Sequence, residues 1–311
     1  LAALLFTSIL SLPDSTSLWA KSHGTTPERV HVSEDGAGVS LLKMASTEEL
    51  ASAPTMVFVN GIGQSWIPFG GVHSALGALP SLMHPRPEKI AVIGLGSGDT
   101  LYCAMARPET EKAVCIEIVG AEWDTLHALA TESTYAGLRR LLEDPRVQRD
   151  TGDGRQYLMM TDERFDIIEA DALRPTSAHS GNLYSEEYFR LVSSRLRDGG
   201  YAVTWAPTQR VASTFVKVFP HVIFFPHILI GSNDPIDLNF TSIRLRMNQR
   251  EIQRHFQLAG IDHFGLLDPF LSMTTPIQKV DPSFDRASLI DTNTDVFPKD
   301  EVSLPALWEK F

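Results

Sequence analysis

A glycine triplet and three acids stand at regular places between residues 94 and 171. Gly94, Gly96 and Gly98 are spaced Gly-x-Gly-x-Gly, Asp153 sits between Gly152 and Gly154, and Asp171 follows the run Phe165-Asp-Ile-Ile-Glu-Ala. Glycines at this spacing let a backbone turn sharply and come close to a ligand, and Asp99 directly after them is placed to cap the next helix. Glu117 lies about 20 residues beyond the turn, where a doubly wound fold holds ribose hydroxyls. Asp153 can accept a hydrogen bond from an adenine amine or cap its own helix, and the two uses are compatible. Asp99 occupies the place of the third glycine in a dinucleotide fingerprint, so an adenosyl ligand without a pyrophosphate fits better than NAD. Tight packing alone would also explain the glycines, and a solvated strand end would explain Glu117.

These residues need strands to present them. Residues 90–93 form a short apolar run ending at Gly94, which reads as a parallel strand covered on both faces. Residues 112–118 are a second such run, 147–151 lead to the turn holding Asp153, and 164–172 are a fourth. Each strand delivers its acid or glycine turn to one edge of the sheet, the edge at which open α/β folds bind ligands. Residues 201–205 read as a fifth strand, and 222–225 with 228–231 as a closing antiparallel pair around Pro226-His227. The apolar spacing predicts helices over 153–160, 185–196, 211–218 and 249–258, with another beginning at His73. The fold expected is α/β, a doubly wound seven-stranded sheet.

Ahead of it, strands over 30–33 and 39–44 flank a hairpin turn at 34–38, and a third covers 56–61, so a small β domain precedes the main one. The expected organisation is an apolar N-terminal segment at 1–24, the β-hairpin domain at 25–72, the nucleoside-binding domain at 73–232, and a closing segment of that domain at 233–311. The last part holds an Asp- and Pro-rich stretch at 291–298.

Composition narrows the function classes. With 311 residues, 43% hydrophobic and 21% charged, the chain can bury a sizeable core. A net charge of −11 and no basic block make nucleic acid and anionic membrane surfaces poor partners, whereas a cationic small molecule would be attracted. Cys103 and Cys115 are the only cysteines, each inside an apolar element, so no disulfide framework and no metal site is expected and a cytoplasmic setting is the default. Residues 1–12 are nearly all apolar, short of the about 20 that a membrane span needs. They read as a plain apolar terminus or as the end of an upstream span that would attach the domain to a membrane.

From residue 59 to about residue 220 the chain resembles the aminopropyltransferases of the spermidine synthase family, which share the Rossmann-like fold of class I adenosylmethionine-dependent methyltransferases. The resemblance rests on Val59-Asn-Gly-Ile-Gly-Gln64, His73, the turn from Gly94 to Asp99, Glu117, Gly152-Asp-Gly154, Phe165-Asp-Ile-Ile168 with Asp171, and Asn182-Leu-Tyr-Ser-Glu-Glu-Tyr-Phe189. It implies transfer of an aminopropyl group from decarboxylated S-adenosylmethionine to an amine, by a homodimer, in polyamine biosynthesis. It further implies that Glu117 holds the ribose, that Asp153 with Gly154 meets the adenine, and that Gln64 is delivered by the last strand of the β domain. His73, Tyr184 and Arg174 would line the amine pocket, Asp171 would accept the amine's proton, and residues 172–182 would fold over as a gate.

The departures from the family pattern cluster at the cation site. Ser97 replaces the acid that holds the aminopropyl ammonium, Val119 replaces the acid after the ribose glutamate, and Arg174 replaces a second substrate-facing aspartate. A guanidinium repels a diamine and suits a ligand that keeps a carboxylate, such as S-adenosylmethionine itself. A methyltransferase on the same fold and a non-catalytic adenosyl-nucleoside-binding domain are therefore the alternative readings.

Overall fold

The computed structural model describes residues 12–45, 54–170, 177, 179–272 and 277–302. The chain divides into two compact units: Leu1–Pro68 with Val119–Tyr135, and Phe69–Ile118 with Ala136–Phe311.

In the first unit β1 (Val30–Glu34), β2 (Val39–Lys43), β3 (Thr55–Val59) and β4 (Ile62–Ile67) form one sheet in chain order, every pair antiparallel. The expected hairpin is present: Glu34 pairs with Val39, and the Asp35 N–H donates to the Gly38 carbonyl at 2.9 Å. Asp35 does more than turn the chain. Its Oδ1 accepts the N–H groups of Ala37 and Gly38, and its Oδ2 accepts the Ala121 N–H at 2.9 Å, at the start of the helix Ala121–Glu132. A buried hydroxyl pair, Ser40 with Thr125 at 2.7 Å, fixes the same helix on β2. These contacts explain why residues 119–135 belong to this unit. The sequence pattern does not reveal β4, because Gly63, Gln64 and Ser65 interrupt its apolar alternation.

The second unit is built on eight strands. β5 (Lys89–Ile93), β6 (Lys112–Glu117), β7 (Val147–Thr151), β8 (Phe165–Ala170) and β9 (Leu196–Trp205) run parallel in the order β7-β6-β5-β8-β9. β10 (His221–Phe225), β11 (Ile228–Ser232) and β12 (Lys279–Val280) continue it antiparallel in the order β9-β11-β10-β12. This is the expected doubly wound sheet with one more edge strand, and two residues are too few for any periodicity to register. Ile90, Ala91 and Val92 are fully buried and Ile93 nearly so, as a central parallel strand requires. β9 starts at Leu196 rather than at residue 201, because its pairing with β8 slips between Phe165 and Ile167 and Gly199 takes a φ of 73°.

The register levels the strand ends. Ile93 lies opposite both Ile116 and Ala170, and Glu117 lies opposite Thr151. Whatever follows β5, β6, β7 and β8 therefore emerges at a common edge.

Helices α1 (Gly71–Met83), α2 (Asp99–Ala104) and α3 (Gly154–Met160) flank that edge. α1 begins two residues before His73, and it packs hard on α2: a Cβ on Gly77 would sit 2.2 Å from the Thr100 carbonyl oxygen. The C-terminal part adds helices at Phe240–Met247, Arg250–Leu258 and His263–Leu271, of which apolar spacing reveals only the second. These helices brace α1 and α2. Arg246 donates to the carbonyls of Leu82 and Met83 at the end of α1, at 2.7 and 3.0 Å. The Tyr102 hydroxyl donates to the His255 carbonyl at 2.7 Å, while the stacked His255 ring meets the Tyr102 carbonyl through Nε2 at 3.0 Å. Burial pushes the His255 imidazole down to about 4, so the ring stays neutral through the physiological range and this brace holds.

The Asp- and Pro-rich stretch crosses the start of α3 and the N-cap of the helix Glu186–Arg195. Asp295 pairs with Arg155 through two bonds of 2.7 and 2.5 Å and accepts the Ser185 hydroxyl at 2.6 Å. Cys103 and Cys115 are free and buried. Among the described residues no helix is long and apolar enough to cross a membrane, and residues 1–11 lie outside them.

Candidate active site

The turn after β5 is held in a shape that only glycine takes without strain: Gly94, Gly96 and Gly98 have φ values of 98°, 53° and 83°. Two bonds shape it, from the Gly94 N–H to the Ile116 carbonyl at 2.9 Å and from the Gly98 N–H to the Leu95 carbonyl at 2.8 Å. Glu117 joins it from the end of β6. Its Oε2 accepts the Leu95 N–H at 2.9 Å, and its carbonyl accepts the Gly152 N–H at 3.0 Å. The carboxylate is only 5% exposed, and a charge-assisted bond to the turn fixes its orientation. Spacing placed Glu117 near the turn; geometry binds it to the turn directly.

Asp153 is exposed and caps α3, its Oδ1 accepting the Gln156 N–H at 2.9 Å. Gly154 is buried because the first residue of α3 rests on the end of β5, where an added Cβ would lie 2.4 Å from Ile93 Cγ2. This close approach sets the head of α3 against the last residue of β5. Gly154→Ala is expected to destabilise the fold by about 1–3 kcal/mol through overpacking, read as a lower midpoint in chemical denaturation, and to weaken nucleoside binding as Asp153 moves away. An unchanged midpoint would mean that Ile93 yields freely.

Asp99 does not cap α2, which corrects the sequence expectation. The N-cap of α2 is Gly98, without any side-chain bond, and the Asp99 carboxylate turns instead to the start of α1. Its Oδ2 accepts the Gly70 N–H at 2.7 Å and its Oδ1 accepts the Ser74 hydroxyl at 2.6 Å, with the Cys103 thiol at 3.3 Å. Burial pushes this carboxyl up to about 6, against the pull of Ser74 and Gly70. Ser97, in the same turn, is buried as well. The acid in the turn is thus engaged by α1, and Ser97 supplies none.

His73 is half-buried in the first turn of α1, and its carbonyl accepts the Thr100 hydroxyl at 3.1 Å. Tyr184 is 1% exposed and belongs to the apolar core with Tyr188, Phe189 and Phe215, so its ring is a packing element first. Gln64 lies in β4 of the first unit, half-buried, and Val119 is buried in that unit with Val59 and Ala121. Asp171 and Arg174 lie outside the described residues, as does most of the expected gate. The gate's far end is described. The turn Ser180–Leu183 is held by Glu301, which accepts the N–H groups of His179 and Gly181 at 2.8 and 3.0 Å, and by Arg155, which donates to the Asn182 carbonyl at 3.1 Å. Nothing local in the sequence signals these partners, for Glu301 and Asp295 are more than a hundred residues from what they hold. Among the described residues no group of His, Cys, Asp and Glu is arranged to hold a metal ion.

Residues 70–217 match the Spermine/spermidine synthase domain model. A polyamine aminopropyltransferase of Thermococcus kodakarensis is 34% identical over 182 residues, covering 53% of this chain and 62% of that protein. One from Thermotoga maritima is 23% identical over 215 residues, covering 62% of this chain and 71% of its own. The match to the first of these spans less than two thirds of that relative's length. Among solved structures, a spermidine synthase in complex with the transition-state analogue AdoDATO superposes with a TM-score of 0.57 at 20% identity, over 79% of this chain and 89% of that one. The spermidine synthase from Thermotoga maritima superposes with a TM-score of 0.56 at 21% identity, over 79% and 88%. At these identities the superpositions show the fold, which is that of the spermidine synthases.

Proposed function

We propose that this chain, through the spermine/spermidine synthase domain carried by residues 70–217, transfers an aminopropyl group from decarboxylated S-adenosylmethionine to an amine. The observation that supports the reading is the carboxyl edge itself, which carries the left-handed glycine turn, Glu117 bonded to Leu95 within it, and Asp153 at the head of α3. Glu117 would accept the ribose hydroxyls and Asp153 the adenine amine. The amine nitrogen would form a bond to the carbon beside the sulfonium as the carbon–sulfur bond breaks. Sulfur keeps that electron pair and leaves as methylthioadenosine, and the amine's proton passes to Asp171, a role that rests on the sequence resemblance. His73 and Arg174 would face the amine, and two copies of the chain would make up the working enzyme. Incubating the protein with the decarboxylated donor and a panel of amines should yield aminopropylated amine and methylthioadenosine in equal amounts by mass spectrometry. No product from any amine would overturn the proposal.

One observation favours a second reading. Ser97 is no acid, and Asp99 is engaged by Gly70 and Ser74, so the turn offers no carboxylate to an aminopropyl ammonium. Together with Arg174, this suits intact S-adenosylmethionine and methyl transfer, in which adenosylhomocysteine would be the nucleoside released.

A further inference from the structure

We propose that Asp99 is a positioning residue that clasps the start of α1, and with it His73, to the nucleoside-binding turn. It rests on the aminopropyl-transfer reading for what His73 meets, and on geometry for everything else. Asp99 is the residue directly after the last glycine of the turn and is 2% exposed. Its two oxygens grip α1 on either side of His73, at the Gly70 N–H and at the Ser74 hydroxyl. A return bond runs from the Thr100 hydroxyl to the His73 carbonyl. Behind these bonds Gly77 lets the two helices close to a separation that no larger residue permits. His73 is thus held at both flanks by Asp99 and at its own carbonyl by Thr100, the two residues that open α2.

The clasp is sensitive to charge. Among the described residues the titratable groups that act on Asp99 are His73 on α1 and Cys103 one turn further along α2; the imidazole favours the ionised carboxyl, and the thiol donates to it. Ionised, Asp99 accepts from Gly70 and Ser74 with charge assistance, and protonated it loses that assistance. With its carboxyl raised from 3.8 to about 6, the folded protein takes up a proton where the unfolded chain does not. The stability linked to that proton is present below about pH 4 and lost as the pH rises through about 6. The fold gains most from this group where the clasp has lost its charge.

The test compares wild type with Asp99→Asn and Ser74→Ala. Asp99→Asn should raise the amine KM about tenfold near neutral pH, the scale of one charged hydrogen bond, while nucleoside affinity stays within about twofold. The ratio of variant to wild-type KM, in which titration of the amine cancels, should shrink as the pH falls through about 6, where wild type loses its own charge. Ser74→Ala should show the same pattern at smaller size, which keeps the test open if the asparagine variant folds poorly. A second readout needs no substrate: removal of the Asp99 charge should lower the midpoint of the His73 ring titration followed by NMR. An unchanged His73 titration together with a pH-independent KM ratio would overturn the clasp. If wild type turned over no amine, the transfer reading would fail while the NMR titration still decided the clasp.

Discussion

Asp171→Asn is expected to lower turnover by about 10²- to 10⁴-fold, the usual weight of a positioned general base. A polyamine is protonated at neutral pH, and its nitrogen cannot attack until that proton has gone. Asparagine keeps the size and the hydrogen-bonding reach of the side chain and cannot take the proton up. Nucleoside affinity should therefore hardly move, because Glu117 and Asp153 come from other strands. Steady-state release of methylthioadenosine against calorimetric affinity for the same nucleoside separates the two effects. A normal rate in this variant would remove Asp171 from the reaction.

Glu117→Ala should weaken nucleoside binding by about 1–3 kcal/mol, roughly five- to 150-fold, as expected for hydrogen bonds to a charged group. Part of that loss would be indirect. The alanine leaves the Leu95 N–H without the carboxylate that it meets at 2.9 Å, so the turn loosens as well. Glu117→Gln keeps an acceptor for Leu95 and removes only the charge, and its smaller loss measures the direct contact with the ribose. Calorimetric titration with methylthioadenosine reads both variants. Unchanged affinity in the alanine variant would make Glu117 a support for the turn and nothing more.

The parts of this fold that sequence reveals are those governed by short-range regularities. A central parallel strand must be apolar on both faces, so Ile90 to Ile93 announce themselves, and the spacing from the glycines to Glu117 is a property of one βαβ unit. The hairpin at 34–38 is equally local. β4 stays hidden because its polar centre breaks the alternation, and β12 because it is two residues long. The helix His263–Leu271 carries Gly265 and Pro269, both poor helix residues, and is supported by the Asp262 cap on the Gly265 N–H and by burial of His263, Leu267 and Leu271. Asp99 is the instructive case. Its position after a glycine turn points to a helix cap, yet its partners lie 29 and 25 residues earlier in the chain, at the start of α1 and beyond the whole of β5. Propensity at one residue cannot foresee a partner brought there by packing. Asp295 and Glu301 illustrate the same limit from the far end of the chain.

If the carboxyl edge binds the nucleoside of an aminopropyl donor, its preference among three adenosyl ligands is fixed. Calorimetric titration of the purified chain with decarboxylated S-adenosylmethionine, methylthioadenosine and intact S-adenosylmethionine, side by side, reads that preference. The decarboxylated donor and methylthioadenosine should bind more tightly than the intact form. Tighter binding of intact S-adenosylmethionine would contradict it, and would mean that the loss of the turn's acid at Ser97 has turned the site toward methyl transfer.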